Sequence, residues 1–264
     1  MNKTLLAEAN EVAAWLKDYA VNANRKALVV GVSGGVDSAL VSTLCAMTGL
    51  PTHVVMLPCR SKPDGLDKSD KHIDWLMDKF PNVSFHELDL TATFNAFERV
   101  TKVGYENDLA YANAKSRLRM IALYQIATVV GGLVVGTGNK VEDFGVGFFT
   151  KYGDGGVDLS PIADFLKSEV REMCRQLGIL PELCEAVPTD GLWADTRTDE
   201  SQLGATYDEL EWAMKFLDTT CHTTCLSEVF NDLTPRQKEV IEIYTRWHKA
   251  GAHKLAPIPT FKRS

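Results

Sequence analysis

The 264-residue sequence has no apolar run approaching the roughly 20 residues that a membrane-spanning helix needs, so no membrane partner is expected. It has no surplus of positive charge: 28 lysines and arginines stand against 35 acidic residues, a net charge of -7. That balance excludes a generic nucleic-acid binder but leaves room for a local basic pocket around a phosphorylated ligand. The opening Met1-Asn2-Lys3-Thr4 leads into Glu8, Glu11 and Asp18 rather than an apolar stretch. No signal peptide is read there, and a cytoplasmic location is expected. The six cysteines are scattered, which predicts free thiols in a reducing compartment. Cys221-His222-Thr223-Thr224-Cys225 lacks a second ligand pair at zinc spacing, so a structural metal is not expected there. Internal repeats, low-complexity tracts and a clear linker are also missing. Hydrophobic residues, at 45%, suffice for a sizeable core, and residues 1–264 read as one domain.

The segments that are present alternate. Leu5, Ala9, Val12, Leu16 and Tyr19 recur at helical spacing behind Thr4, a suitable N-cap. Ala27 to Val32 is a short β-rich apolar run without alternation, as in a parallel strand covered on both faces. A helix is predicted from Asp37 or Ser38 to Met47, strands over His53–Leu57 and Val83–Leu88, and a helix around Asp67–Lys79 between them. A long helix is predicted over Asp108–Val130, stopped by Gly131-Gly132 before a strand over Leu133–Gly136. Strand and helix thus alternate, which predicts an α/β doubly wound parallel sheet flanked by helices. Residues 137–160 read as a long glycine-rich functional loop with interleaved aromatics. Helices follow near Leu166–Leu177, Glu200–Leu217 and Pro235–His248.

The most informative local pattern is Ser33-Gly34-Gly35-Val36-Asp37-Ser38, set between a buried strand and a helix start. Glycines let the backbone turn with its N–H groups inward, the helix end adds a positive partial charge, and two serines add donors. Together they form a cradle for phosphate. It is neither a Walker A loop, lacking Gly-Lys-Ser/Thr, nor the Gly-x-Gly-x-x-Gly dinucleotide pattern. A carboxylate such as Asp37 would repel phosphate unless a divalent cation stood between them, so Asp37 itself argues for a metal.

The loop resembles the pyrophosphate loop of the N-type ATP pyrophosphatases, which have the adenine nucleotide alpha hydrolase-like, Rossmann-like fold. They cleave ATP between its α and β phosphates and adenylate a substrate oxygen. Further motifs follow in order: Gly136-Thr137-Gly138-Asn139-Lys140-Val141-Glu142, Phe148-Phe149-Thr150-Lys151-Tyr152-Gly153-Asp154-Gly155-Gly156-Val157-Asp158, Ser160-Pro161-Ile162, Lys167, Pro188-Thr189-Asp190 and His253-Lys254. This ordered set, from about Leu28 to Phe261, closely resembles the NAD+ synthetase family.

The resemblance implies synthesis of NAD+ from deamido-NAD+ (nicotinic acid adenine dinucleotide), ATP and ammonia, with Mg2+ required. An acyl-adenylate would form and pyrophosphate and AMP would leave. Too little chain precedes Ala27 to hold the glutaminase domain of many relatives, so the ammonia-dependent form is expected. A homodimer is implied, and the long helix containing Ile121, Tyr124 and Ile126 is a candidate interface or an ordinary core helix.

Residue by residue, the resemblance assigns ATP contacts to Gly31, Val32, Ser33, Gly34, Gly35, Val36, Asp37, Ser38, Thr137, Lys167 and Thr189. Lys167 would put an ammonium on the phosphates during adenylyl transfer. Asp37 and Lys167 are the candidate catalytic pair, and Asp37 and Glu142 the Mg2+ carboxylates. Arg117, Lys151, Asp158, His253 and Lys254 match contacts to deamido-NAD+. One extra residue before Phe148 departs from the common pattern: counting from Thr137 selects Glu142, counting back from Lys151 selects Asp143, and the first is preferred. The rival readings are another ammonia-using adenylating synthetase on the same loop and a non-catalytic adenine-nucleotide-binding module.

Overall fold

The computed structural model describes residues 4–61, 63–189, 191–193, 197–220 and 230–263. Cys221, His222, Cys225 and Asp190 lie outside the described residues.

Helix α1 (Leu5–Asn22) starts on the Thr4 hydroxyl, which accepts from the Ala7 N–H at 3.3 Å. Strands β1 (Ala27–Val32), β2 (Thr52–Met56), β3 (Val83–Glu87) and β4 (Gly132–Val134) pair in parallel in the order β3-β2-β1-β4. Helices α2 (Val36–Met47), α3 (Pro63–Lys79), α4 (Thr91–Thr101) and α5 (Asp108–Val130) connect them. The strands are apolar at successive positions because alternate residues enter two cores. Leu28, Val30, Val54 and Met56 pack with α1, α2 and α3, while Val29, Val55 and Val134 pack against Ala122 and Ala127 of α5. This is the expected doubly wound sheet. Its strand order reverses between β1 and β4, and the crevice at such a switch point, beyond the strands' carboxyl ends, is where α/β sheets bind ligands. Gly131 ends α5 in the left-handed region at φ 63°.

Beyond β4 the expectations need three corrections. The glycine-rich stretch is not wholly irregular: Lys140–Val146 forms a π-helical turn, capped by Asn139, whose side chain accepts from the N–H groups of Val141 and Glu142. The segment expected as Glu200–Leu217 is two helices, α8 (Asp199–Leu203) and α9 (Tyr207–Thr220), because Gly204 at φ 88° ends the first. The last helix, α10 (Pro235–Leu255), runs past His248. Gly251 does not interrupt it; a Cβ there would lie 2.8 Å from the Gly147 Cα, so glycine is what lets the helix cross the loop this closely. Helices α6 (Lys167–Leu177) and α7 (Pro181–Cys184) return toward the sheet. The π-turn, α8, α9 and α10 enclose a third core around Val141, Leu203, Tyr207, Leu210 and Ile243.

Candidate active site

The glycine loop leaves the carboxyl end of β1. Gly34 has φ 73°, and a Cβ there would lie 2.6 Å from the Gly65 carbonyl oxygen of α3, so position 34 accepts only glycine without rearrangement. The Ser33 N–H donates to Ser38 Oγ at 3.2 Å, the two hydroxyls lie 3.2 Å apart, and Ser38 Oγ donates to the Gly35 carbonyl at 2.9 Å. The loop is thereby folded back onto the first turn of α2, which carries Asp37. Gly31 and Val32 remain in β1, where Gly31 backs onto Leu123 and Val32 is buried in the first core.

Two further elements reach Asp37. The chain leaving β4, which runs through Gly136 and Thr137, delivers Asn139 and the π-turn with Glu142. Helix α6 begins at Lys167, whose side chain is only 3% exposed. The Lys167 ammonium donates to Asp37 Oδ2 at 2.5 Å and to Glu142 Oε1 at 2.8 Å. Asn139 Nδ2 donates to Asp37 Oδ1 at 3.1 Å and Glu142 Oε2 at 2.7 Å. The Tyr207 hydroxyl donates to Glu142 Oε1, and the Lys167 ammonium lies 4.9 Å from the Tyr207 ring centroid. Two carboxylates and one ammonium leave a net charge of -1 in a nearly closed place. Burial pushes the Glu142 carboxyl above its usual range; Lys167 opposes that and Asp37 reinforces it. For Lys167 burial acts downward, but the carboxylates of Asp37 and Glu142 outweigh it and hold the ammonium charged. Burial, then the charges of Glu142 and Asp199, raises the Tyr207 phenol, so it stays a donor.

Asp143 takes a different direction. A Cβ at Gly138 would collide with its carboxylate, and burial followed by the charges of Asp154, Glu142 and Asp37 raises it well above the usual range. Of the two competing acids, it is Glu142 that shares partners with Asp37.

A second constellation forms from residues far apart in sequence. The Phe148–Asp158 block hangs on α5: Ser116 Oγ donates to Asp154 Oδ1 at 2.7 Å and Thr150 Oγ1 to Asn113 Oδ1 at 2.6 Å. Arg117 Nε donates to the Lys151 carbonyl at 3.3 Å, and Lys151 Nζ to the His253 carbonyl at 3.2 Å. Lys254 donates to the carbonyls of Gly147 and Phe149. Arg117, Lys151 and Lys254 thus form one ridge of cations, with His253 beside Lys254. Asp158 stands apart from these bonds: its oxygens accept from Tyr124 at 3.0 Å and from the Val134 N–H at 2.8 Å. Thr189 is exposed beside the undescribed Asp190. Cys45, Cys59, Cys174 and Cys184 are buried and unbridged.

Sequence reasoning missed Asn139 and Tyr207 as parts of the cluster. Asn139, ahead of Lys140-Val141-Glu142, carried a usable signal as a cap residue. Tyr207 carried none, since an aromatic at a helix start is ordinary core material.

A family model described as NAD synthase matches residues 8–257. The NH(3)-dependent NAD(+) synthetase of Mesoplasma florum is 39% identical over 201 residues, 75% of this chain and 79% of that protein. Its counterpart in Alkaliphilus metalliredigens is 35% identical over 266 residues, 96% and 97% of the two chains. Among solved structures, the NMN synthetase of Francisella tularensis matches with a TM-score of 0.83 at 30% identity, over 98% of this chain and all (100%) of that one. An NH3-dependent NAD synthetase from Campylobacter jejuni, at TM-score 0.79 and 21% identity, shares the fold over 99% of this chain and 100% of that one.

Proposed function

The chain belongs to the NAD synthase family and amidates deamido-NAD+ to NAD+ with ATP and ammonia, and from that premise we propose that the Asp37–Lys167–Glu142 cluster is where the ATP is cleaved. The observation that carries this reading is the convergence of Asp37 Oδ2 and Glu142 Oε1 on a single cationic position, 2.5 and 2.8 Å away, beside the glycine loop. The loop N–H groups, the start of α2 and the Ser33 and Ser38 hydroxyls receive the phosphates. The pyridine carboxylate attacks the α-phosphate, pyrophosphate leaves, and Lys167 neutralises the charge that develops on it. Ammonia then displaces AMP from the acyl-adenylate. Thr137 and Thr189 belong to the ATP contacts, and Asp158 to those of the dinucleotide.

Mg2+ fits this donor set. Asp37 and Glu142 bring two hard carboxylates onto shared partners, Lys167 and Asn139, beside the glycine loop, and oxygen donors of this kind suit Mg2+. Asp37 and Glu142 would hold it, and it would supply charge neutralisation for the leaving pyrophosphate. The ridge of Arg117, Lys151 and Lys254, with His253 beside it, receives the anionic dinucleotide. Exposed Leu109, Ile121 and Val129 on α5 support a homodimer. The unbridged buried cysteines support a cytoplasmic location, and one family model over nearly the whole chain supports a single synthetase domain, residues 1–264.

The test is the purified protein with ATP, Mg2+, ammonium and deamido-NAD+, scored for NAD+ and pyrophosphate. Glutamine should not replace ammonium; equal turnover on glutamine with ammonia scavenged contradicts the ammonia-dependent reading. The likeness to an NMN synthetase favours a second substrate, so nicotinate mononucleotide belongs in the same assay. Turnover on the mononucleotide alone would move the substrate assignment without moving the ATP site. In a Mg2+ titration, Glu142→Gln should raise the requirement and lose most activity, and Asp143→Asn should do neither. The reverse result transfers the metal role to Asp143.

A further inference from the structure

Tyr207 is 1% exposed and touches two members of the cluster at once. Its hydroxyl donates to Glu142 Oε1, the oxygen that also accepts from Lys167 at 2.8 Å, while Glu142 Oε2 is left to Asn139. Its ring faces the Lys167 ammonium 4.9 Å from the centroid. The phenol has one alternative acceptor, Asp199 Oδ2, farther off at 3.4 Å. The residue itself is fixed from elsewhere. It opens α9, its N–H donates to Glu200 at 2.9 Å, and its body is packed in the third core with Leu210 and Val240. Asp37, by contrast, is carried by the helix covering the sheet. Tyr207 is therefore a point where the C-terminal helices touch the phosphate end of the site.

We propose that Tyr207 is a positioning residue for ATP cleavage: its hydroxyl sets the Glu142 carboxylate, and its ring sets the Lys167 ammonium, so that both meet the polyphosphate together with Asp37. This rests on the reading of the cluster as the ATP site. The physical ground is that a carboxylate on a flexible side chain has several rotamers, and one charge-assisted hydrogen bond from a rigid, buried donor selects among them. A tyrosine serving only to fill the third core would need a partner for its hydroxyl, but that partner would not need to be the carboxylate that also accepts from Lys167.

Tyr207→Phe removes the hydroxyl and keeps the ring. The Mg2+ concentration giving half-maximal pyrophosphate release should rise on the order of tenfold, the usual size of one charge-assisted bond lost. KM for deamido-NAD+ and the melting curve should stay near wild type. Mn2+ affinity, read by electron paramagnetic resonance with a non-hydrolysable ATP analogue, should weaken by the same factor. Tyr207→Leu, which removes the ring as well, should lower kcat further. Combined with Glu142→Gln, Tyr207→Phe should add no further metal shift, because the two act through one carboxylate. Wild-type metal dependence in Tyr207→Phe overturns the proposal. So does an unfolded Tyr207→Phe, since the proposal gives the hydroxyl no share in folding. Wild-type protein that releases no pyrophosphate would sink the ATP-site reading instead, and the Mn2+ measurement would still judge Tyr207 separately.

Discussion

The two ends of the candidate site are held by opposite means. At the phosphate end the Lys167 side chain is 3% exposed and those of Asp37 and Glu142 are 15% exposed, and all three bond to one another. At the dinucleotide end Arg117 and His253 are exposed, Lys151 and Lys254 half-buried, and the three long cations donate to backbone carbonyls. A buried charge without a partner costs several kcal/mol, so each charge at the phosphate end must have a partner before any ligand arrives. An exposed cation loses little by exchanging a carbonyl for a phosphate or carboxylate oxygen. Substitutions at the first end that leave a buried charge without any counter-ion should therefore damage fold and chemistry together, and those at the second should damage binding alone.

The harshest way to break this contrast is Lys167→Met. It strands two carboxylates in a nearly closed place and should cost about 3–5 kcal/mol of stability, with loss of pyrophosphate release. A denaturant midpoint unchanged from wild type would show that the cluster is wetter than the geometry indicates. Asp37→Asn separates the two consequences, because Lys167 keeps Glu142 as its counter-ion: pyrophosphate release should collapse while the melting curve moves little.

Next in size is a pH effect behind the loop. His72 of α3 is buried, with Nε2 2.9 Å from Ser42 Oγ of α2, and burial lowers its pKa from 6.5 to about 4. The unfolded chain takes up this proton first, so stability is full above pH 6.5 and falls as pH drops toward 4, by roughly 3 kcal/mol at most. Stability curves for wild type and His72→Gln over that window should diverge, the variant losing this slope.

At the other end, Arg117→Ala should raise KM for deamido-NAD+ on the order of tenfold, leaving KM for ATP and the melting curve unchanged. A falling melting temperature there would mean that the ridge is structural. The smallest effect belongs to Arg236→Ala, which removes an exposed pair with Glu209 that bonds to no member of either end. Its activity should match wild type and its melting temperature should drop only slightly, as exposed pairs contribute little.

Legibility in the sequence follows the same division by range. Ser33 to Ser38 reads as a phosphate loop because glycine torsions and a helix start are decided within a few residues. The strand and helix order of the sheet half was readable from apolar runs and from caps such as Thr4 and Gly131. The C-terminal half was read less well: Gly204 splits a helix that periodicity joined, and Gly251 leaves intact one that periodicity ended early. In both places a contact with another element, or a single left-handed residue, outweighed the local pattern.

The site shows the same limit. Lys167 meets Asp37 across 130 positions of chain, and no spacing rule connects them; only the resemblance to a family brought them together. Tyr207 was out of reach even so. The sequence by itself determined the loop, the order of the elements and the set of residue types able to bind ATP and an anionic dinucleotide, because backbone torsion, periodicity and capping are local. Only the tertiary structure decided that Glu142 rather than Asp143 faces Lys167, and that a tyrosine from the third core donates to it. Which charge is removed from water, and which neighbour compensates it, depends on elements stacking from distant parts of the chain.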